Sequence, residues 1–174
     1  DHPITLLVPF APGASTDAAA RALQPGLEAV VKQSVIVENR AGAGGMIGTA
    51  DAARSKPDGT TLLFHTNGAL IAPLFQKNIP YDPASLRPIV GVASAYYVVV
   101  AAPNPPAKTF RDFVAYAKDN DKQLNVSTGS GAGSDRVSHA LLQQVGLSDM
   151  QPIAYNGAAA LIQGTARGDV TIGW

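Results

Sequence analysis

Short apolar runs recur along the chain, each stopped by proline, glycine or a small polar residue. Residues 4–8 (ITLLV), closed by Pro9, predict a buried parallel strand. Residues 15–32 predict a helix, with alanines and Leu23, Leu27, Val30 and Val31 on an apolar face. Pro25-Gly26 falls inside it, and an interior proline costs about 3 kcal/mol, so a kink or break is expected near Gln24. Residues 35–38 (VIVE) predict a second strand. Residues 42–55 (GAGGMIGTADAARS) predict a glycine-rich turn and a helix, and residues 60–64 a third strand after the turn Pro57-Asp58-Gly59.

The rhythm then repeats. A short helix over 70–76 and a loop over 78–88 lead to a long β-branched run, 89–102 (IVGVASAYYVVVAA), which reads as a strand carrying Tyr96 and Tyr97. Helices are expected over 110–118, 135–145 and 158–166, and strands over 124–127, 152–155 and 169–172. Alternating strands and helices predict an α/β fold with parallel sheets. The proline cluster at 103–106 (PNPP) sets a domain boundary near residues 101–106, giving domains 1–101 and 102–174.

Composition narrows the function. Of 174 residues, 46% are hydrophobic and 15% charged, which favours a packed core. Lys+Arg and Asp+Glu both number 13 and no basic block exists, so neither nucleic acid nor an anionic membrane surface is an expected partner. A small anion would have to be held by local donors. With no cysteine, disulfides, thiolate metal sites and Cys nucleophiles are excluded. His2, His65 and His139 are scattered, with no metal-site spacing. No run approaches the roughly 20 apolar residues of a membrane span, so direct membrane insertion is not expected. The opening DHPITLLVPF suits a mature exported protein whose leader has been removed, and a cytoplasmic protein could begin the same way.

Two strand-to-helix turns carry candidate chemistry. Ligands of open α/β sheets gather at the carboxyl ends of strands, where helix N-termini point free N–H groups outward. In the first turn, Gly13 and Ala14 let the backbone approach a ligand, Ser15 or Thr16 can cap the helix and offer a hydroxyl, and Asp17 suits the helix dipole. An ordinary capped helix fits the same residues. The second turn is Ser127, Thr128, Gly129, Ser130, Gly131, Ala132, Gly133 and Ser134, another donor-rich mouth, though a flexible surface loop has the same composition. Two such mouths, one in each half, favour a shared ligand.

Nucleotide motifs are incomplete. Gly42-x-Gly44 opens a dinucleotide fingerprint, but position 47 is isoleucine and no acidic residue follows a strand at the right distance. There is no phosphate-binding GxxxxGK[ST] loop and no G-x-S-x-G elbow. His65 reads as a structural histidine, and Tyr96 and Tyr97 as packing residues.

ITLLVPFAPGASTD, VIVENRAGAGGMIGTADAARSKPDGTTLL, IPYDP, LNVSTGSGAGS and YNGAAALIQGTARGDV occur in an order and at spacings that span nearly the whole chain. In these it resembles the Bug-type extracytoplasmic solute receptors of tripartite tricarboxylate transport systems. VENRAGAGGMIG followed by PDGTTLL is the most specific part. The resemblance implies a type II periplasmic-binding-protein fold, two α/β domains flanking a ligand cleft, with the second domain incomplete in this chain. It implies capture of a small carboxylate (a dicarboxylate, tricarboxylate, aromatic carboxylate or amino acid) in the periplasm, closure around it, and delivery to membrane transporter subunits. No catalytic residue, metal or cofactor is expected. The positions matching the family's carboxylate loop are Phe10, Ala11, Gly13, Ala14, Ser15, Thr16 and Asp17. The facing domain contributes residues 127–134, and Thr66, Asn67, Tyr155 and Gly157 match further cleft walls. Gly13-Ala14 stands where the family often has Gly-Gly, and Pro25-Gly26 where it usually continues a helix. A nucleotide- or phosphate-using α/β enzyme and an effector-sensing domain of a regulator are the alternatives.

Overall fold

A computed structural model describes residues 2–94, 96, 98–120, 123–128, 132–155 and 158–173. The chain divides into two compact units, Asp1–Val90 and Gly91–Trp174.

In the first unit, β1 (Ile4–Val8), α1 (Ser15–Val31), β2 (Val35–Asn39), α2 (Met46–Arg54), β3 (Thr61–Leu63) and α3 (Gly68–Phe75) follow one another. The sheet order is β2-β1-β3, all parallel, with Val8 opposite Asn39 and Leu7 opposite Leu63. Side chains alternate across a strand, so Ile4, Leu6 and Val8 share a face. They pack there with Val35 and with Ala20, Leu27 and Val31 of α1. Fully burying one such aliphatic side chain stabilises by about 1.5–3 kcal/mol.

The expected break in α1 does not occur: the helix is continuous with Pro25 inside it. Pro25 and Gly26 lie on its exposed side, where the carbonyl deprived of its N–H partner can bond water. The glycine-rich stretch after β2 forms a 3-10 turn, Ala43–Gly45, and then α2. A side chain at Gly48 would collide with the Arg40 carbonyl and with Pro9, so α2 crosses the exit of β1 only because that position lacks a Cβ.

The second unit runs β4 (Val100–Ala101), α4 (Phe110–Lys118), β5 (Asn125–Thr128), α5 (Ala132–Gln144), β6 (Gln151–Ala154), α6 (Ala158–Arg167) and β7 (Ile172–Gly173). Its sheet order is β4-β7-β5-β6, parallel except for β4 against β7. A capping box between Thr109 and Asp112 starts α4. Phe113, Ala117, Leu124, Val126, Leu142, Leu147, Met150 and Ile172 make the core. The run β5-α5-β6-α6-β7 repeats the path β1-α1-β2-α2-β3, each time with its first strand in the middle.

The long strand expected over 89–102 is reduced to Val100–Ala101. β-propensity records fitness for a sheet, but a strand forms only beside another strand, and among the described residues of this run only these two have one, in β7. Ile89, Val90, Val92, Tyr96 and Val98 stay exposed. Because β4 pairs with β7, Val100 and Ala101 lie in the second unit rather than the first, ahead of the boundary expected from the prolines. Among the described residues no helix is long and apolar enough to cross a membrane.

Candidate functional site

In the first unit the chain leaves β1 for β2 on one side and reaches β3 on the other. The carboxyl ends of β1 and β3 therefore flank the point where the strand order reverses, the usual ligand position in such sheets. Phe10 follows β1, and His65 follows β3. Their rings meet edge to face, centroids 5.1 Å apart and 70° between planes. Exposed Thr66 and Asn67 continue from His65 to the start of α3. The Thr66 hydroxyl accepts from the Gly68 N–H at 3.3 Å. The first-unit residues named from sequence thus converge on one end of this sheet, those from Phe10 to Asp17 on one side and Thr66 and Asn67 on the other.

The mouth of α1 differs in detail from the expectation. Neither Ser15 nor Thr16 caps the helix. The N-cap is Ala14, in extended conformation and without a side-chain cap bond, so Ser15, Thr16 and Asp17 already form the first turn. The first helical bond runs from the Ala18 N–H to the Ala14 carbonyl at 2.9 Å. That leaves the amides of Ser15, Thr16 and Asp17 without an intrahelical acceptor. Ala11, Gly13 and the Ser15 side chain are exposed, whereas Thr16 is buried. Gly13 adopts φ +81°, which suits glycine, and a Cβ there would meet nothing within 4 Å, so the approach is open.

Asp17 is 3% exposed and faces inward. Its Oδ2 accepts from the Gly13 N–H at 2.8 Å and from Arg21 Nε at 3.0 Å, and its Oδ1 from the Asn39 amide at 2.9 Å. The Arg21 guanidinium, then the Gly13 and Asn39 donors, hold its carboxyl at about 2, against an ordinary 3.8. Its charge is thereby matched within the protein. Burial lowers His65 from its usual 6.5, partly offset by the Thr66 carbonyl, which accepts from Nδ1 at 2.8 Å. Sequence reasoning missed Arg21 and Asn39. The i,i+4 spacing of Asp17 and Arg21 signals the first, but nothing local signals Asn39, which the β1–β2 register brings in. It also missed Tyr81, whose buried hydroxyl donates to the Ala69 carbonyl at 3.0 Å and pins the start of α3.

In the second unit, β5 and β7 flank the corresponding reversal of strand order. Thr128 ends β5 half-buried. Ser127 is fully buried, and its Oγ lies against Gly173 with no hydrogen-bond partner among the described residues, so it does not line an open mouth. Ala132, Gly133 and Ser134 belong to α5 rather than to a loop. Gly129, Ser130, Gly131 and Gly157 lie outside the described residues, as do the side chains of positions 132–134. Tyr155 follows β6 with its hydroxyl packed against Gly164 of α6. Among the described residues no group of three His, Cys, Asp or Glu could hold a metal ion.

Comparison with known proteins bears on the family and the fold. Residues 19–173 match the tripartite tricarboxylate transporter family receptor profile. A UPF0065 protein of Bordetella pertussis is 36% identical over 160 residues, covering 91% of this chain and 49% of its own. Protein BugT of the same organism is 32% identical over 164 residues, covering 92% and 50%. The chain therefore spans about half the length of these curated relatives. Among solved structures, the periplasmic binding protein BugD superposes with a TM-score of 0.79 at 28% identity, covering 98% of this chain and 57% of its own. MatC from Rhodopseudomonas palustris, with bound malate, gives 0.77 at 30% identity, covering 97% and 58%. An R. palustris protein with adipate gives 0.87 at 26% identity, covering 97% and 57%. The fold is thus that of the periplasmic binding proteins, and the family is one of receptors rather than enzymes.

Proposed function

The chain belongs to the receptors of the tripartite tricarboxylate transporter family, and on that premise we propose that it captures a small carboxylate at the turn between β1 and α1. The observation that carries this reading is the mouth itself. An open glycine turn, the exposed Ser15 hydroxyl and the first amides of α1 stand at the carboxyl ends of β1 and β3, beside the paired rings of Phe10 and His65. A carboxylate there accepts N–H and O–H bonds of about 1.5–3 kcal/mol each and completes the end of the helix dipole. The malate and adipate held by two structural neighbours fit the same chemistry.

Within the first unit Thr66 and Asn67 serve as walls of that mouth, and within the second unit the passage that starts at Thr128 is assigned the same carboxylate-holding role, with Tyr155 as its wall. The protein works in the periplasm and hands its ligand to the membrane subunits of a tripartite tricarboxylate transporter.

Ser15→Pro tests the first mouth cleanly. Proline is favoured at the first helical position, and Ala14 already has the extended conformation it requires, so the helix survives while the amide and hydroxyl are lost. Calorimetry with malate and adipate should show affinity falling by about tenfold or more, from charge-assisted bonds worth about 1.5–3 kcal/mol. Unchanged affinity would remove the first mouth from the site.

A further inference from the structure

Asp17 sits at the mouth just described, yet nothing of it is presented outward. Both carboxylate oxygens are taken by protein donors, Gly13 N–H and Arg21 on one and Asn39 on the other. The Asn39 amide donates a second time, to the Phe10 carbonyl at 3.0 Å, and its oxygen accepts from Arg21 Nη2 at 3.1 Å. These bonds grip the turn at both ends, at the Phe10 carbonyl and the Gly13 N–H. Asn39 is anchored in turn by the sheet, because it ends β2 directly opposite Val8 at the end of β1.

The spacing explains why an aspartate is needed. Asp17 is the third residue of α1, where a side chain can reach back past the N-cap. Here it passes over Ala14, which offers no side-chain acceptor, and bonds the residue before it. A helix start without a capping Ser, Thr or Asn would leave the turn loosely tied. The buried network replaces that cap and fixes the Gly13 peptide in its left-handed conformation.

We infer that Asp17 is a positioning residue for the carboxylate mouth, setting the shape of the turn from Phe10 to Gly13 and offering nothing to the ligand itself. This rests on the carboxylate reading proposed above. It also bears on the ligand class: a ligand ammonium finds no free charge at Asp17, so the first mouth takes plain or hydroxylated carboxylates as readily as amino acids.

Malate and aspartate differ only by a hydroxyl for an ammonium, and they separate positioning from contact. Affinities of the unaltered protein, Asp17→Asn and Glu28→Ala for malate, adipate and aspartate would be measured by calorimetry. Folding would be checked by circular dichroism and the Gly13 amide followed by NMR. Glu28 accepts from the Val35 N–H at 2.9 Å, in the same helix but away from the turn, so its loss reports destabilisation alone. Asp17→Asn should shift the Gly13 amide resonance and weaken malate and any bound aspartate by the same factor, about tenfold, as expected for losing charge-assisted bonds. Glu28→Ala should lower the melting temperature and keep affinity within about twofold, since effects at sites with no shared partners stay separate. A folded Asp17→Asn protein with unchanged affinity and an unmoved Gly13 amide would overturn the proposal. A loss confined to aspartate would also overturn it, by showing contact with the ligand's ammonium. If the unaltered protein bound none of the three, the carboxylate reading would fall, and the Gly13 resonance alone would still decide whether Asp17 sets the turn.

Discussion

The two units follow the same path of strands and helices but stabilise the ends of their central strands in different ways. At the end of β1, a buried network of Asp17, Arg21 and Asn39 shapes the turn with directed bonds. At the end of β5 the corresponding partner position is Ala154, which has no side-chain amide to offer. There the backbone is brought close by missing side chains: Gly173 lies against Ser127 and Gly164 against Tyr155. One polar group, Ser127 Oγ, is buried without a hydrogen-bond partner among the described residues. The same topology can thus hold the end of its central strand through satisfied polar bonds or through small-residue packing, and removing a buried polar group acts oppositely in the two.

The largest expected effects arise in both units, and the first is a packing change in the second. Gly164→Ala would drive a methyl group into the Tyr155 ring and phenol. Overpacking of this kind costs about 1–3 kcal/mol, read as a lower midpoint in urea unfolding. Gly26→Ala, on the exposed side of α1, should instead raise stability by about 0.5–1 kcal/mol, read as a higher midpoint, since helix interiors disfavour glycine. Equal effects of the two changes would remove the packing argument.

Next come the polar groups. Asn39→Ala strands the Phe10 carbonyl and part of Asp17 and Arg21, and should cost about 1–3 kcal/mol. Ser127→Ala removes an unsatisfied buried hydroxyl and should leave stability equal or higher, by up to about 1 kcal/mol. The opposite signs sharpen the comparison. A clear loss of stability in Ser127→Ala would show that the hydroxyl has a partner and that the second mouth, too, is set by polar bonds.

The smallest effect is on pH dependence. Asp17 has a folded-state pKa of about 2, below its ordinary 3.8. Its contribution is therefore complete above about pH 4 and is lost as pH falls toward 2. Urea midpoints taken across this window should fall for the unaltered protein and fall less steeply for Asp17→Asn. Parallel curves would mean that the network does not hold the carboxylate in its charged form.

Much of this architecture was legible in the sequence because the α/β rhythm is local. β1 and α4 fell on the expected residues, and most other elements within a few. What was not legible depends on distant pairing. The run 89–102 is as β-prone as any in the chain, yet among its described residues only Val100 and Ala101 find a neighbouring strand. The site divides along the same line. The glycine turn and helix start at residues 10–17 could be read from the chain, but the role of Asp17 could not, because Asn39 reaches it only through sheet register. Ser127 looked like part of an open, donor-rich loop, but strand alternation turns it inward under α6.

The central claim, that a carboxylate is held by the first turn of α1, is tested most directly by titrating 15N-labelled protein with malate and adipate. The account predicts saturable shifts of the Gly13, Ser15 and Thr16 amides, at the affinity given by calorimetry. Saturable binding that leaves those three amides unmoved would contradict it.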